Sequence, residues 1–439
     1  MIHYLDKAII LQIGECIVVS SYCIEGKHIF DGEITVQGAK NAVLPILAAT
    51  IINSGKNVIH NCPKLRDVNK TIDVLLGLGC RVVPLGNTVI VDSSTMDRCI
   101  IEDSLMRQMR SSIIFLGAII ARCGEAIVSM PGGCEIGMRP VDLHLKALKE
   151  LGVEITEENG YIICKARKLH GANIHLDFPS VGATENIMLA AVTAKGTTYI
   201  TNAAREPEIV DLQNFLCRMG AKVEGAGSSN VKIHGVSSLY GVDYSIMPDR
   251  IAAGTYLACC GAAGGTMVLK NICTQDMTSI ISTLERMGAK IRKEEHILQM
   301  SVSKRLKSFG TIRTMPYPGF PTDIQSPFLA LGCSASGTGV VVENIFENRF
   351  RNAEELVRMG ADIRVDGKTA VVVGVKQLHG AKVCACELRG GASLVTAAMG
   401  AEGITTISNI EYIDRGYEDF EKNLSLCGAN ITRVYEENE

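Results

Sequence analysis

Two apolar patterns alternate along this chain. In one, apolar side chains recur three and four residues apart, as in residues 140–151 and 276–287, which is the period of a helix with one covered face. In the other, helix-length segments are apolar nearly all round, at 41–52, 111–121, 184–194, 251–260, 323–331 and 392–401. A helix without a polar face belongs inside the protein. Alternating runs such as Ala221-Lys222-Val223-Glu224 and Ala289-Lys290-Ile291-Arg292 read as half-covered strands.

These patterns repeat six times. A large apolar residue or Cys, then Gly, then usually Ala, precedes a strand-like run at Gly79, Gly152, Gly220, Gly288, Gly360 and Gly428, and successive glycines lie 73, 68, 68, 72 and 68 residues apart. Fixed spacing on this scale marks a repeated supersecondary unit. Each glycine falls where a surface helix needs a left-handed C-terminal residue. Most of the apolar helices also run into a glycine, at Gly124, Gly196, Gly264 and Gly403. Each unit therefore reads as β-α-β-α-β-β, with one buried and one surface helix. Six units divide as three and three, with helices inside and sheets outside. The first unit is expected to start near Ile17 and the last to end near Val434. The expected division is an extension at 1–16, one domain of 17–39 plus 248–439 carrying both termini, and a second domain of 40–247.

Polar residues interrupt the apolar helices mainly at their N-terminal ends: Lys40-Asn41, Arg110, Ser180-Val181-Gly182, Asp249-Arg250, Asp323 and Arg389. Ser180, Asp249 and Asp323 have an ordinary reading as N-caps. Lys40, Arg110 and Arg389 do not, because a cation beside a positive helix end is unfavourable unless an anion joins it. Helix N-termini are themselves anion sites, so a cleft lined by these ends would favour anionic ligands. Glu347-Asn348-Arg349 and Asp414-Arg415-Gly416, at turns, have an alternative reading as solvated ion pairs of little energetic weight. Asp142 and His144 have one as ordinary surface residues.

Composition narrows the classes. A length of 439 residues exceeds one core's worth of chain. Net charge is −3, with no basic block and few aromatic residues, which argues against a nucleic-acid partner. Sixteen cysteines without metal-ligand spacing fit reduced thiols in the cytoplasm, with neither metal nor cofactor expected. The apolar run at 8–13, extended weakly by 16–19, is broken by Gln12, Gly14 and Glu15, too short and polar to span a bilayer.

One stretch carries candidate chemistry: Pro131-Gly132-Gly133-Cys134-Glu135-Ile136-Gly137-Met138-Arg139-Pro140. The glycine pair permits sharp turns and close approach to a ligand. Cys134 offers a thiol, although most cysteines are small buried hydrophobes. Arg139 adds a planar fork of donors suited to phosphate or carboxylate.

On this loop, with Gly38-Ala39-Lys40-Asn41, Met109-Arg110-Ser111, Ser180-Val181-Gly182-Ala183-Thr184, Arg205-Glu206-Pro207-Glu208, Pro248-Asp249-Arg250, Phe320-Pro321-Thr322-Asp323, Phe346-Glu347-Asn348-Arg349-Phe350 and Ile413-Asp414-Arg415-Gly416-Tyr417, the chain resembles the UDP-N-acetylglucosamine 1-carboxyvinyltransferases over about residues 17–434. The resemblance implies two inside-out α/β barrel domains, each of three βαβαββ repeats, closing on a cleft by induced fit. It implies transfer of the enolpyruvyl group of phosphoenolpyruvate to the 3′-hydroxyl of UDP-N-acetylglucosamine, with release of phosphate, as the first committed step of peptidoglycan synthesis. Cys134 is then the proton donor on a mobile loop, or a covalent participant, and the target of the epoxide fosfomycin. Asp323 is the base near the sugar hydroxyl. Lys40, Arg139 and Arg415 clamp phosphoenolpyruvate, with Arg110 and Arg389 lining the same cleft. Asn41, Pro140, Val141, Asp142, Leu143, Ser180, Val181, Gly182, Ile345 and Phe346 fit the nucleotide sugar.

The chain departs from the family at three positions: Glu387 replaces the usual Asp, Gly390-Gly391 replaces an alanine-containing helix start, and Phe178 stands where some members carry a basic residue. The glycines are expected to loosen that helix start. Alternatives are a catalytically weak or regulatory paralogue that binds nucleotide sugar, the related transferase acting on shikimate 3-phosphate, and a scaffold without ligand.

Overall fold

The computed structural model describes residues 18–108, 110–130 and 141–437. Six inner helices carry the apolar segments: α1 (Lys40–Ala49), α4 (Phe115–Cys123), α6 (Val181–Ala191), α8 (Arg250–Ala263), α10 (Thr322–Ser334) and α12 (Leu388–Gly400). Six more take the amphipathic segments: α2 (Arg66–Gly77), α5 (Asp142–Glu150), α7 (Pro207–Arg218), α9 (Thr278–Met287), α11 (Ala353–Arg358) and α13 (Phe420–Leu426). A short α3 (Asp103–Gln108) precedes α4. All six repeat glycines have positive φ, between 89° and 104°, so each surface helix turns into its strand through a backbone conformation that disfavours other residues.

Four of the six sheets mix a parallel pair with a hairpin. Asn173–His175 runs parallel to Thr197–Thr201 because α6 carries the chain back between them, and the hairpin Lys222–Glu224 and Asn230–His234 then adds antiparallel. Inner faces are apolar, as in the buried-exposed alternation of Asn230–His234. One apolar core gathers residues from 22–36 and 251–431, and the other from 39–246. In the first, α8, α10 and α12 pack on one another. Among the described residues no helix is long and apolar enough to cross a membrane.

The strands depart from a simple six-fold series in three places. The strand Val18–Glu25 pairs with Ile404–Ser408 and Asn430–Glu437, so it completes the sixth unit instead of opening the first. The strand Phe30–Thr35 precedes α1 yet pairs with Gly265–Lys270 after α8, while Asp243–Ser245 precedes α8 yet pairs with Lys56–His60 after α1. The units thus exchange their leading strands across the two cores. In the second unit the leading strand shrinks to a bridge between Ile100 and Ile127, leaving a three-stranded sheet.

The two exchanged segments touch where they cross. Gly38 and Pro248 form a bridge, Ala39 N–H donates to the Met247 carbonyl (2.8 Å) and Asp249 N–H to that of Gln37 (2.9 Å). A side chain at position 38 would collide with the Asn61 carbonyl, so glycine is required for this approach. The crossing brings the N-termini of α1 and α8 together.

Candidate active site

The N-terminus of α1 is the centre of the site. Lys40 opens the helix, and α1 has no side-chain cap of its own. Its first amide donates instead to Asp249 Oδ2 (3.1 Å), while Asp249 Oδ1 caps α8 by accepting from Ile251 and Ala252 at 2.8 and 2.9 Å. One carboxylate therefore joins two inner helix ends from different cores.

Two ion clusters flank this junction. In the first, Lys40 Nζ lies 2.7 Å from Asp67 Oδ2, and Arg415 Nε lies 3.0 Å from Asp67 Oδ1. Burial pushes the Lys40 ammonium down; Asp67 opposes this, and the nearby Arg389 and Arg415 reinforce it. In the second, Asp323 Oδ1 accepts from Arg349 Nη2 (2.7 Å), while Oδ2 accepts from Arg389 Nη2 (3.2 Å) and Asn41 Nδ2 (3.4 Å). Burial alone would raise the Asp323 carboxyl, but Arg389 and then Arg349 outweigh it and hold the group well below the usual carboxylate range. Asn41 follows Lys40, so the clusters are contiguous. Together they set Lys40, Arg349, Arg389 and Arg415 against Asp67 and Asp323, a surplus of cations at a helix N-terminus.

One further feature marks an anion site. Arg389 is 2% exposed, its guanidinium lies 5.3 Å from the centre of the Tyr417 ring, and its Nη1 has no hydrogen-bond partner among the described residues. A buried donor left unpaired is costly unless a ligand completes it.

The predicted residues fall into three groups. Lys40, Asn41, Asp323, Arg389 and Arg415 come together as described. Ser180 caps α6, its hydroxyl accepting from Ala183 N–H (3.3 Å), with Val181 and Gly182 in the first turn. Val141, Asp142 and Leu143 begin α5, and Asp142 is exposed. Ile345 and Phe346 donate their amides to Glu343 Oε1 at 2.8 and 3.1 Å. Cys134, Arg139 and Pro140 lie outside the described residues, as does the side chain of Arg110, whose backbone opens the 3-10 turn Arg110–Ile114.

Three ordinary readings give way to the structure. Asp323 is not an N-cap, since Pro321 holds that position and the carboxylate faces the arginines. Arg349 and Arg415 are not solvated-face pairs: Arg349 is buried against Asp323, and Arg415 reaches Asp67 nearly 350 positions away. His144 is buried rather than superficial. Its Nδ1 lies 2.7 Å from Asn186 Nδ2, which also donates to the Ile113 carbonyl, while Asn186 Oδ1 accepts from Gly117 N–H. This tether links α5 to α4 and to the turn bearing Arg110.

Sequence reasoning missed Asp67 and Glu343. Asp67 sits in the first turn of a surface helix, where an acid is routine, and only its burial distinguishes it. Glu343 is also buried, binding Thr314 and Thr322 as well as the 345–346 turn. Among the described residues no group of three or more His, Cys, Asp or Glu is placed to hold a metal.

Paired α/β units with inward helices, meeting at a cation-rich helix end, define an inside-out barrel protein built to handle anions. Comparison with known proteins makes this specific. Residues 24–424 match the family model described as EPSP synthase (3-phosphoshikimate 1-carboxyvinyltransferase). UDP-N-acetylglucosamine 1-carboxyvinyltransferase 2 of Caldanaerobacter subterraneus is 52% identical over 93% of this chain and 98% of its own. UDP-N-acetylglucosamine 1-carboxyvinyltransferase 1 of Carboxydothermus hydrogenoformans is 47% identical over 95% and 99%. Among solved structures, the enolpyruvyl transferase NikO from Streptomyces tendae superposes with a TM-score of 0.87 at 26% identity, covering 95% of this chain and all of that one. EPSP synthase from Acinetobacter baumannii shares the fold, with a TM-score of 0.73 at 18% identity over 95% and 100%. The chain belongs to the enolpyruvyl (1-carboxyvinyl) transferase family and, within it, to the UDP-N-acetylglucosamine 1-carboxyvinyltransferases.

Proposed function

We propose that this enzyme transfers the enolpyruvyl group of phosphoenolpyruvate to the 3′-hydroxyl of UDP-N-acetylglucosamine and releases phosphate, a step of peptidoglycan synthesis. The carrying observation is the surplus of cations around the α1 N-terminus, in a chain about half identical to transferases of that name. Both substrates are anions, and fixed positive charge aimed at developing negative charge is usually the largest catalytic term.

The residues then take roles. Lys40, Arg389 and Arg415, with Arg110 and Arg139, hold phosphoenolpyruvate. Cys134 donates a proton to its methylene carbon, which makes C2 electrophilic. The 3′-hydroxyl oxygen bonds to C2 and gives up its proton towards Asp323. Loss of the added proton and of phosphate from the tetrahedral adduct regenerates the vinyl group. While Arg349 and Arg389 both hold Asp323, its carboxylate is a weak base. Engagement of Arg389 by the substrate anion would release Oδ2 and restore basicity where the sugar hydroxyl arrives. Asn41, Pro140, Val141, Asp142, Leu143, Ser180, Val181, Gly182 and the turn of Ile345 and Phe346, which Glu343 holds through its amides, contact the nucleotide sugar. Fosfomycin alkylates Cys134.

The test is phosphate release on mixing protein, phosphoenolpyruvate and UDP-N-acetylglucosamine. Release with shikimate 3-phosphate instead would overturn the substrate, and no release with either would overturn the activity. Cys134→Ala is expected to abolish nearly all turnover while nucleotide-sugar binding survives. Wild-type turnover in that variant, or a fosfomycin adduct on another cysteine, would remove Cys134 from its role.

A further inference from the structure

The start of α12 is built unusually. Its N-cap is Glu387, although Ser, Thr, Asp and Asn are the favoured caps because their short side chains return directly to the first-turn amides. Glu387 is in extended backbone (φ −163°, ψ 171°), and its longer side chain folds back so that both oxygens are used. Oε2 accepts from Arg389 N–H (2.8 Å) and Oε1 from Gly390 N–H. The carboxylate thus grips the backbone of the residue whose guanidinium meets Asp323 and keeps an unpaired Nη1.

The folded-back glutamate occupies the space of the next side chain. A Cβ on Gly390 would lie 2.8 Å from Glu387 Oε1, so the carboxylate would have to shift from its place, and 3.1 Å from Asn352 Cβ. Gly390 has ordinary helical backbone, so nothing in its φ calls for glycine. What calls for it is the cap. The pair does not loosen the helix start: Gly390 admits the carboxylate that fixes it, and Gly391 admits Ile413 Cγ1, 2.8 Å from where its own Cβ would be.

We infer that Glu387 and Gly390 form one coupled positioning element for Arg389, in which the long cap works only because residue 390 has no side chain. The inference deepens the reading of Arg389 as part of the phosphoenolpyruvate clamp and rests on it for its kinetic consequence. Gly390→Ala would push Oε1 off its amide and let the α12 first turn, with Arg389, drift. Glu387→Asp shortens the cap by one methylene and clears that space, so the two changes together should restore what Gly390→Ala loses.

The experiment is a double-mutant cycle on the full-length enzyme with two readouts. The first is KM for phosphoenolpyruvate. It is expected to rise about tenfold in Gly390→Ala, the factor that loss of one cap of ordinary strength corresponds to, and to return to within about threefold of wild type in Glu387→Asp/Gly390→Ala. KM for UDP-N-acetylglucosamine should stay level. The second is hydrogen exchange of the amides of residues 389 and 390, faster in Gly390→Ala and slow again in the double variant. A double variant as impaired as Gly390→Ala in both readouts, or a single variant unchanged in both, would overturn the coupling. Recovery of exchange protection without any movement of KM would uphold the coupled cap and overturn instead the placing of Arg389 in the clamp.

Discussion

Asp67 holds Lys40 in its charged form, and replacing it by asparagine should move the alkaline limit of the enzyme. Lys40 Nζ is buried, 2.7 Å from Asp67 Oδ2, with Arg389 and Arg415 close enough to oppose its charge. Burial and both arginines push its proton off, and Asp67 is the main charge that counters them. Asp67→Asn keeps the shape and an acceptor oxygen but removes the charge. At an effective dielectric of about 20, unit charges about 4 Å apart interact by about 4 kcal/mol, and each pH unit corresponds to about 1.36 kcal/mol. The neutral amide still accepts a hydrogen bond, so the expected displacement is about two pH units, within the range found for a single close ion pair. The sign follows from lysine chemistry. Lys40 is cationic below its pKa, the substitution lowers that pKa, and the clamp therefore fails sooner as pH rises. The assay is the pH profile of kcat/KM for phosphoenolpyruvate, which reports ionisations of the free enzyme. Activity should approach wild type near pH 6, and the alkaline limb should fall about two units earlier. Arginine does not titrate in this range. A uniform loss across all pH values would therefore mean that Asp67 acts through Arg415 instead, and an unmoved limb would refute the argument.

Two further predictions concern the junction of the cores. Arg250 on α8 makes a bidentate pair with Glu208 on α7 (3.0 and 3.1 Å), both buried. Glu208→Gln should cost about 3–5 kcal/mol in urea unfolding, whereas removing both partners as Arg250→Met/Glu208→Leu should recover most of it; equal losses would show that packing, not charge, holds the junction. Nearby, burial pushes the Asp211 carboxyl up to about 6, against hydrogen bonds from Tyr244 and Met247 that favour its charged form. The native state then keeps this proton across a window in which the unfolded chain, at about 3.9, has released it. Asp211's contribution to stability is therefore complete below about pH 4 and lost as pH rises through 6. Asp211→Asn should gain roughly 2–3 kcal/mol on wild type between pH 4.5 and 7.5 in urea titrations.

How far the sequence could be read depends on whether a residue's role disturbs local pattern. The repeat was legible because its glycines demand one backbone conformation at one spacing. Lys40 and Arg389 were legible because a cation at a positive helix end contradicts local electrostatics. Asp67 was not, since an acid in the first turn of a surface helix satisfies those same electrostatics; its partners are Lys40 and Arg415, the latter nearly 350 positions away. The exchanged strands were equally silent. Phe30–Thr35 would present the same alternation to either core, and only the crossing at Gly38 and Pro248 decides which it joins.

That crossing also explains why the cations gather at one end of one helix. In a simple six-fold series the inner helix ends would be equivalent, each satisfied by its own cap, as Ser180 satisfies α6. Exchange of the leading strands brings the N-terminus of α1 to that of α8 and lets Asp249 serve both. Ala39, at the N-cap of α1, then needs no capping side chain, and Lys40 follows it as the first helical residue. With its helix end satisfied from a neighbour, the ammonium can face outward from α1 towards Asp67 and the arginines. Four cations there face two carboxylates, Asp67 and Asp323, and the unbalanced positive charge is what a ligand anion can use. The departures from the repeat and the proposed anion site are thus one feature, and substitutions that restore regular caps at α1 should remove anion affinity before they disturb the fold.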